Sequence, residues 1–367
     1  MTASGPFGAG RKSALHREGV GCTVENKSLK TVDDQAVGIQ SGAQWVSKTD
    51  ENVFAALKKA FADKAQKHRA LLVIADGEII AEQYADGFSE TTPFLSWSMA
   101  KSVTATLIGA AVEDGLIDIN STPPLQAWEK DEARRKITWD DLLRMQSGLT
   151  FEEKYEKPRS QVNRMLFEEP GAGAYAATSD IEAAPGEIWS YSSGTSNILA
   201  YAFYNVIRKT GKNPVEYAFE NIFFPIGADS FVMEPDASGV FIGSSFAYAT
   251  ARDWARLGQL YLQDGVWNGE RILPKSWAAY VSTPTPKSSG QYGAHFWLNR
   301  PQDPRGDQFF DALPADMYFM AGHEGQYVFV FPSQNLVIVR LGVTRGRSAM
   351  KAVEPVIADI FQAATAR

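Results

Sequence analysis

Residues 94–115 read FLSWSMAKSVTATLIGAAVEDG, and this stretch decides how the rest of the chain is interpreted. Ser98 and Lys101 lie three residues apart at the start of an apolar run with helical spacing, so one face of a predicted helix carries both side chains. A serine hydroxyl becomes a nucleophile when a base takes its proton, and a desolvated lysine can assist in this. The first helical turn also offers unpaired N–H groups to a developing oxyanion. Taken alone, the pattern is explained more simply by two surface residues of an ordinary helix.

The composition indicates a globular protein with one or two domains. The chain has 367 residues, of which 44% are apolar and 22% charged, and its net charge is −7. This charge argues against non-specific nucleic-acid binding, which needs a basic face. No apolar run is long enough for a membrane span, and the first residues lack a signal-peptide core. We therefore expect a soluble protein whose compartment stays open, either the bacterial cytoplasm or, if a leader was removed, the periplasm.

Metal and disulfide chemistry find little support in the sequence. Cys22 is the single cysteine, so no intrachain disulfide or cysteine metal cluster is expected. The four histidines lack a ligand-like spacing, and we expect neither a metal nor a cofactor. His16 and His68 are predicted to be surface residues.

The secondary-structure pattern changes twice along the chain. Residues 50–68 have helical apolar spacing, and two β-rich runs around Asp76-Gly77 predict a hairpin. Residues 116–255 are mainly helical, and after about residue 290 short β-rich runs return before a closing helix. This order predicts an α/β protein of the α+β type. An antiparallel sheet formed by both ends of the chain would be flanked by helices and would carry a mainly helical insertion.

Three parts follow from this pattern. Residues 1–40 are predicted to be an N-terminal extension. Residues 41–97 together with 256–367 form the predicted α/β sheet domain, and residues 98–255 form the mainly helical domain. A cleft between the last two is the expected place for an active site.

Further motifs follow the Ser-x-x-Lys pair in a defined order. Residues 137–149 read ITWDDLLRMQSGL, where Thr138 is the predicted N-cap of a helix. Tyr191-Ser192-Ser193 precedes a predicted helix, and His323-Glu324-Gly325 lies between β-rich runs. No Gly-x-Ser-x-Gly occurs, so the nucleophile elbow of α/β-hydrolases is absent. The ordered set resembles the serine β-lactamase and penicillin-binding-protein superfamily over roughly residues 70–345. Within it, the motifs are most similar to those of 6-aminohexanoate-dimer hydrolases and class C-like carboxylesterases.

The resemblance implies a β-lactamase/transpeptidase-like fold and a serine hydrolase with three catalytic residues. Ser98 would be the nucleophile, Lys101 its hydrogen-bonded proton partner, and Tyr191 the general base and later the acid. A free tyrosine, with a pKa of about 10, is a poor base, so the adjacent lysine cation would be needed to lower that pKa.

The resemblance also implies an oxyanion hole and a set of orienting residues. The backbone N–H groups of Ser98 and Gln326 would form the oxyanion hole, and Ser193 would bond Lys101. Gly325 fits a strand position where a substrate backbone comes close. His323 is expected to be an orienting cleft residue. Tyr155 is a candidate for lining the substrate pocket, and a plain loop aromatic is the alternative.

The third motif bears on the substrate. Superfamily members that act on β-lactams or D,D-peptides carry Lys-Thr-Gly where this chain has His323-Glu324-Gly325. An acidic residue facing the cleft disfavours a substrate carboxylate. We therefore expect small-molecule esters or small linear amides to be cleaved through a Ser98 acyl-enzyme. A β-lactamase or D,D-peptidase is the alternative, and a non-catalytic penicillin-binding-like protein is a weaker one. The oligomeric state does not follow from the sequence.

Overall fold

The computed structural model describes residues 2–4, 11–17, 21–24, 45, 47–300, 308–346 and 349–367. The strands are β1 (Thr2–Ser4), β2 (Arg11–Arg17), β3 (Gly21–Val24), β4 (His68–Ala75), β5 (Glu78–Tyr84), β6 (Phe94–Leu95), β7 (Val232–Met233), β8 (Ala247–Ala249), β9 (Val266–Trp267), β10 (Glu270–Arg271), β11 (Trp297–Leu298), β12 (Tyr318–Gly322), β13 (Gln326–Phe331) and β14 (Leu336–Gly342). The helices are α1 (Glu51–Ala62), α2 (Ala100–Glu113), α3 (Trp139–Leu143), α4 (Gln161–Phe167), α5 (Ala172–Ala176), α6 (Ser193–Lys209), α7 (Pro214–Ala218), α8 (Ala251–Leu262), α9 (Trp277–Val281) and α10 (Ala349–Thr365).

Two compact units divide the chain. The helical unit comprises Met1–Ile39, Ala100–Ile222 and Val232–Tyr248, and the sheet unit comprises Gln40–Met99, Phe223–Phe231 and Ala249–Arg367. The domain boundary expected after residue 255 falls inside α8, which begins at Ala251.

The N-terminal extension predicted for residues 1–40 lies outside the described residues except for its three strands. These strands pair antiparallel in the order β1-β2-β3.

The sheet unit is built on a six-stranded antiparallel sheet, which confirms the predicted sheet type. Its strand order is β11-β12-β13-β14-β4-β5, so strands from both ends of the chain meet where β14 pairs with β4. Side chains alternate between the two faces because the strand repeat is two residues. Phe329 and Ile338 pack in the core cluster shared with Leu57 of α1 and Ile357 of α10. The other face is covered by α8, where a Cβ on Gly258 would lie 2.7 Å from Val328.

The predicted hairpin at Asp76-Gly77 joins β4 to β5. Both turn residues adopt positive φ, 51° at Asp76 and 81° at Gly77. An Asp-Gly pair suits this backbone because a two-residue hairpin turn needs left-handed conformations at both central positions.

The helical unit contains α2 and α6, the two longest helices of its described part. Residues Ala100 to Ala111 of α2 are buried throughout, and α6 is buried over most of its length. Ser192 caps α6 by accepting the Thr195 N–H at 3.1 Å. Thr138 caps α3 in a capping box with Asp141, so the N-cap predicted there is confirmed.

A glycine brings a loop of the helical unit against these two helices. A Cβ on Gly243 would lie 2.4 Å from Thr104 Oγ1 of α2 and 2.9 Å from Ala200 Cβ of α6. The Thr104 hydroxyl donates to the Gly243 carbonyl at 2.9 Å. This packing fixes the next residue, Ser244, against α2. No helix in the described ranges is both long and apolar enough to cross a membrane.

Candidate active site

Ser98 lies in a tight turn of the sheet unit and not within α2 itself. The prediction of a helix from about Ser98 was two residues early, because Trp97–Met99 forms a 3-10 turn and α2 begins at Ala100. Trp97 adopts a positive φ of 46°, which is uncommon for a residue other than glycine. The Met99 N–H donates to the Ser96 carbonyl at 3.3 Å, and the Ser96 hydroxyl donates to the Trp97 carbonyl at 2.8 Å. These bonds hold the half-buried Ser98 in a defined turn.

The hypothesis of an active site depends on Lys101, a buried cation of the helical unit. Only 1% of its surface is exposed. Its Nζ donates to Ser193 Oγ at 3.0 Å and to the Ser244 carbonyl at 2.9 Å. Burial lowers the pKa of Lys101 to about 8, and the Glu153 carboxylate acts in the opposite direction. A lysine with such a pKa can gain or lose a proton near neutral pH.

Tyr191 lies beside Lys101 at the start of α6. The ammonium nitrogen is 4.9 Å from the centroid of the half-buried Tyr191 ring. Tyr191 precedes the N-cap Ser192, and Ser193 is the first residue of α6. The helix start therefore brings both Tyr191 and Ser193 to Lys101.

Glu153 is a residue of this cluster that the sequence analysis missed. Its Oε2 accepts the Ser193 N–H at 2.8 Å, and its Oε1 accepts the Ser193 hydroxyl at 2.5 Å. Tyr155, the predicted pocket-lining residue, is 40% exposed and donates its hydroxyl to the same Oε1 at 3.1 Å. The structure thus joins Lys101, Ser193, Glu153 and Tyr155 by consecutive hydrogen bonds.

The sheet unit brings strand β12 to the Ser98 turn. Strand β11 pairs with β12 at Tyr318 and Phe319. Gly322, at the end of β12, lies close to the Ser98 turn, since a Cβ on Gly322 would be 2.2 Å from the Ser96 carbonyl oxygen. The next residue, His323, is exposed and its ring lies edge-on to Trp97, with 5.5 Å between the centroids. His323 therefore neighbours the Ser98 turn, and its orienting role stays a prediction.

The strand position expected of Gly325 was wrong, whereas the oxyanion role expected of Gln326 stays a prediction. Gly325 is not on a strand but in the β12–β13 turn, with φ of 84°, and the space for its Cβ is taken by Arg340, 2.6 Å away. Gln326 pairs with Gly322 in a strand flanked by β12 and β14, so its N–H lies in the plane of the sheet. The glycine in close approach to the Ser98 turn is Gly322, and the N–H that follows it belongs to His323.

A buried arginine holds the β12–β13 turn. Arg340 is fully buried, and its guanidinium donates to the Gly325 carbonyl and to Thr344 Oγ1, both at 2.6 Å. Its Nε donates to His68 Nδ1 at 3.2 Å. His68 is only 5% exposed, so the prediction of a surface residue was wrong. Burial and the neighbouring Arg340 charge lower the pKa of His68 to about 4.

Metal ligation finds no candidate in the part of the chain that the structure describes. No group of three or more His, Cys, Asp or Glu residues there has a geometry suited to a metal ion. Lys101, Ser193 and Tyr191 bring ammonium, hydroxyl and phenol groups together.

Comparison with known proteins identifies the class. The chain belongs to the Beta-lactamase family, whose model matches residues 57–360. The superfamily and the fold predicted from the sequence are confirmed.

Particular relatives carry hydrolase names. A 6-aminohexanoate-dimer hydrolase of Paenarthrobacter ureafaciens is 27% identical over 226 residues, which cover 58% of this chain and 56% of that protein. The chain thus matches little more than half the length of that relative.

Solved structures share the fold. A Bacillus anthracis protein provisionally named 6-aminohexanoate-dimer hydrolase has a TM-score of 0.70 and 24% identity, covering 88% of this chain and 87% of its own. A family VIII carboxylesterase has a TM-score of 0.65 and 17% identity, covering 85% and 96%. At these identities the likeness establishes the fold alone.

Proposed function

We propose that the protein is a serine hydrolase that cleaves small-molecule esters or small linear amides through a Ser98 acyl-enzyme. The observation that carries the proposal is the buried Lys101, bonded to Ser193 and in contact with Tyr191, three residues after Ser98 in the chain. Burying a lysine costs free energy of folding, which hydrogen bonds to the ammonium partly offset. Buried lysines with a lowered pKa recur at catalytic sites.

The proposed reaction has two steps. Ser98 Oγ attacks the substrate carbonyl while Tyr191 accepts the hydroxyl proton, and Tyr191 then protonates the leaving alcohol or amine. Lys101 keeps its proton close to Tyr191 and compensates the phenolate charge. Water, activated by the same pair, then attacks the acyl-enzyme and releases the acid.

The oxyanion would be bound by backbone N–H groups of the sheet unit. Ser98 supplies one of them. For the second, we replace the expected Gln326 by His323, since Gly322 is the residue in contact with the Ser98 turn. Two such donors are worth several orders of magnitude in rate in related acyl-transfer chemistry.

The proposed substrate class rests on two arguments. The Paenarthrobacter relative is named 6-aminohexanoate-dimer hydrolase, and an amide bond joins the two halves of such a dimer, which supports small linear amides; esters react by the same acyl transfer. The Lys-Thr pair that binds the carboxylate in β-lactam-processing members is absent. Glu324 itself is ion-paired with Arg345 at 2.6 Å, so direct repulsion of a carboxylate by Glu324 is a weaker argument than the missing lysine.

Hydrolysis of p-nitrophenyl butyrate tests the proposal. We expect turnover by the wild-type protein and none above background by Ser98→Ala. Full activity of Ser98→Ala would remove Ser98 as the nucleophile, and a wild-type protein inactive on ester and amide panels would refute the proposed function.

A further inference from the structure

The Glu153 carboxylate occupies the centre of a hydrogen-bond chain that reaches Lys101. It accepts three hydrogen bonds: the Ser193 N–H at 2.8 Å, the Ser193 hydroxyl at 2.5 Å and the Tyr155 hydroxyl at 3.1 Å. Two of the three come from the residue that also contacts Lys101. Since Glu153 and Ser193 lie 40 residues apart, the carboxylate ties the loop between α3 and α4 to the start of α6.

The bonds along this chain have a fixed direction. A serine hydroxyl has one hydrogen, and an ionised carboxylate can only accept. Ser193 must therefore direct its hydrogen to Glu153, which leaves its oxygen as an acceptor for Lys101 Nζ at 3.0 Å. Without Glu153, the hydroxyl could rotate and donate to a neutral Lys101. Glu153 thus determines which partner of the Lys101–Ser193 bond is the donor.

The carboxylate also affects the proton affinity of the site. Two hydrogen bonds, of 3.0 and 2.5 Å, separate the ammonium from the carboxylate. In the buried surroundings of Lys101, a charge at this separation is only weakly screened by solvent. The charge of Glu153 favours the protonated lysine, against the effect of burial. Among the residues that the structure describes, the titratable groups along this hydrogen-bond chain are Lys101, Tyr191, Glu153 and Tyr155.

We propose that Glu153 is a positioning residue that orients Ser193 and keeps the shared proton on the Lys101–Tyr191 pair. This inference rests on the proposed function, because the pair matters for turnover only if Ser98 is the nucleophile. Glu153 acts through Ser193 and does not itself touch the reacting atoms. Its charge raises the proton affinity of the pair, so the pair gives up its second proton at a higher pH than it would without Glu153.

The pH profile of turnover tests the proposal. In wild-type protein, kcat/KM for p-nitrophenyl butyrate should fall on acidification as the pair gains its second proton. Removing the charge with Glu153→Gln should move this acidic limb to lower pH by about one unit, and misorientation of Ser193 should lower kcat by about tenfold. Glu153→Asp keeps the charge on a shorter side chain, so its acidic limb should stay near that of wild type while kcat falls.

A matched control is available one residue away. Glu152 is paired with Lys157 at 2.5 Å, and its side chain is 35% exposed. Glu152→Gln removes the same charge from the same loop, but the pair that it breaks is solvent-exposed and contributes little. Its acidic limb and its kcat should equal those of wild type.

A second readout does not depend on turnover. Protein labelled with ¹³Cε-lysine reports the titration of Lys101 by NMR, with the resonance assigned through Lys101→Met. The apparent pKa of Lys101 should be lower in Glu153→Gln than in wild type and unchanged in Glu152→Gln.

These arms separate the two proposals. A protein without hydrolase activity would refute the proposed function, and the NMR titration would still decide whether Glu153 controls Lys101. An unchanged lysine titration in Glu153→Gln, or an equal shift in Glu152→Gln, would overturn the role of Glu153. If Glu153→Gln does not fold, an unreduced kcat in Glu153→Asp overturns it.

Discussion

Gly322 should tolerate no side chain if β12 lies against the Ser98 turn. In Gly322→Ala, the new Cβ would lie 2.2 Å from the Ser96 carbonyl oxygen and 3.0 Å from Gln326 Cβ, whereas real contacts of this kind almost never fall below 3.0 Å. Both obstacles lie close to the backbone, so β12 and the turn must separate by about 0.8 Å, the difference between 3.0 and 2.2 Å. Because oxyanion binding depends on placement of this order, kcat should fall about 100-fold. The overpacking should also cost about 1–3 kcal/mol of stability.

The assay is p-nitrophenyl butyrate hydrolysis, with thermal unfolding measured in parallel. Gly171→Ala is the matched control, since its Cβ would meet neighbours at 3.6 Å or more and its φ is negative at −135°. It should retain wild-type kcat. We expect KM to change less than kcat in Gly322→Ala, because the loss concerns the transition state. A Gly322→Ala variant with kcat within threefold of wild type would refute the placement of β12.

Three further predictions concern the base, acid stability and substrate choice. Tyr191→Phe keeps the ring over Lys101 but removes the hydroxyl, so kcat for p-nitrophenyl butyrate should fall by about 10²–10⁴-fold while the fold persists by circular dichroism. His68 has a folded pKa of about 4 against 6.5 when unfolded, so the unfolded state binds more protons between these values and stability falls as the pH drops from 6.5 toward 4. Urea unfolding should show about 2–3 kcal/mol of this loss in wild type and much less in His68→Gln, and parallel losses in both proteins would contradict it. Nitrocefin should be hydrolysed with a kcat/KM at least 100-fold below that for p-nitrophenyl butyrate, and comparable values would favour a β-lactamase.

Local chemistry explains which parts of the molecule could be predicted from sequence. The Asp76-Gly77 turn and the Thr138 cap depend on residues a few positions apart, and both occur in the structure as expected. Ser98, Lys101 and Tyr191 were found because their motifs follow one another in a known order, and the contact between Lys101 and Tyr191 accords with that order. Their catalytic roles stay predictions until they are tested.

The missed features depend on contacts between distant parts of the chain. Glu153 lies in FEEKYEK, a charged loop without periodicity, and its partner Ser193 is 40 residues away. His68 is buried and accepts a hydrogen bond from Arg340, 272 residues downstream, and the sequence near His68 does not reveal that contact. Of the glycines at 322 and 325, the sequence motif favoured the second. The turn conformation of Gly325 and the approach of Ser96 to Gly322 favour Gly322, and neither feature follows from the amino-acid sequence.

Covalent labelling of the nucleophile tests the central claim most directly. Wild-type protein treated with a fluorophosphonate should gain one adduct by intact mass, mapped to the peptide that contains Ser98, and should lose ester hydrolysis in proportion. Ser98→Ala should remain unlabelled and inactive. An adduct at another residue, or ester turnover retained by Ser98→Ala, would contradict the account.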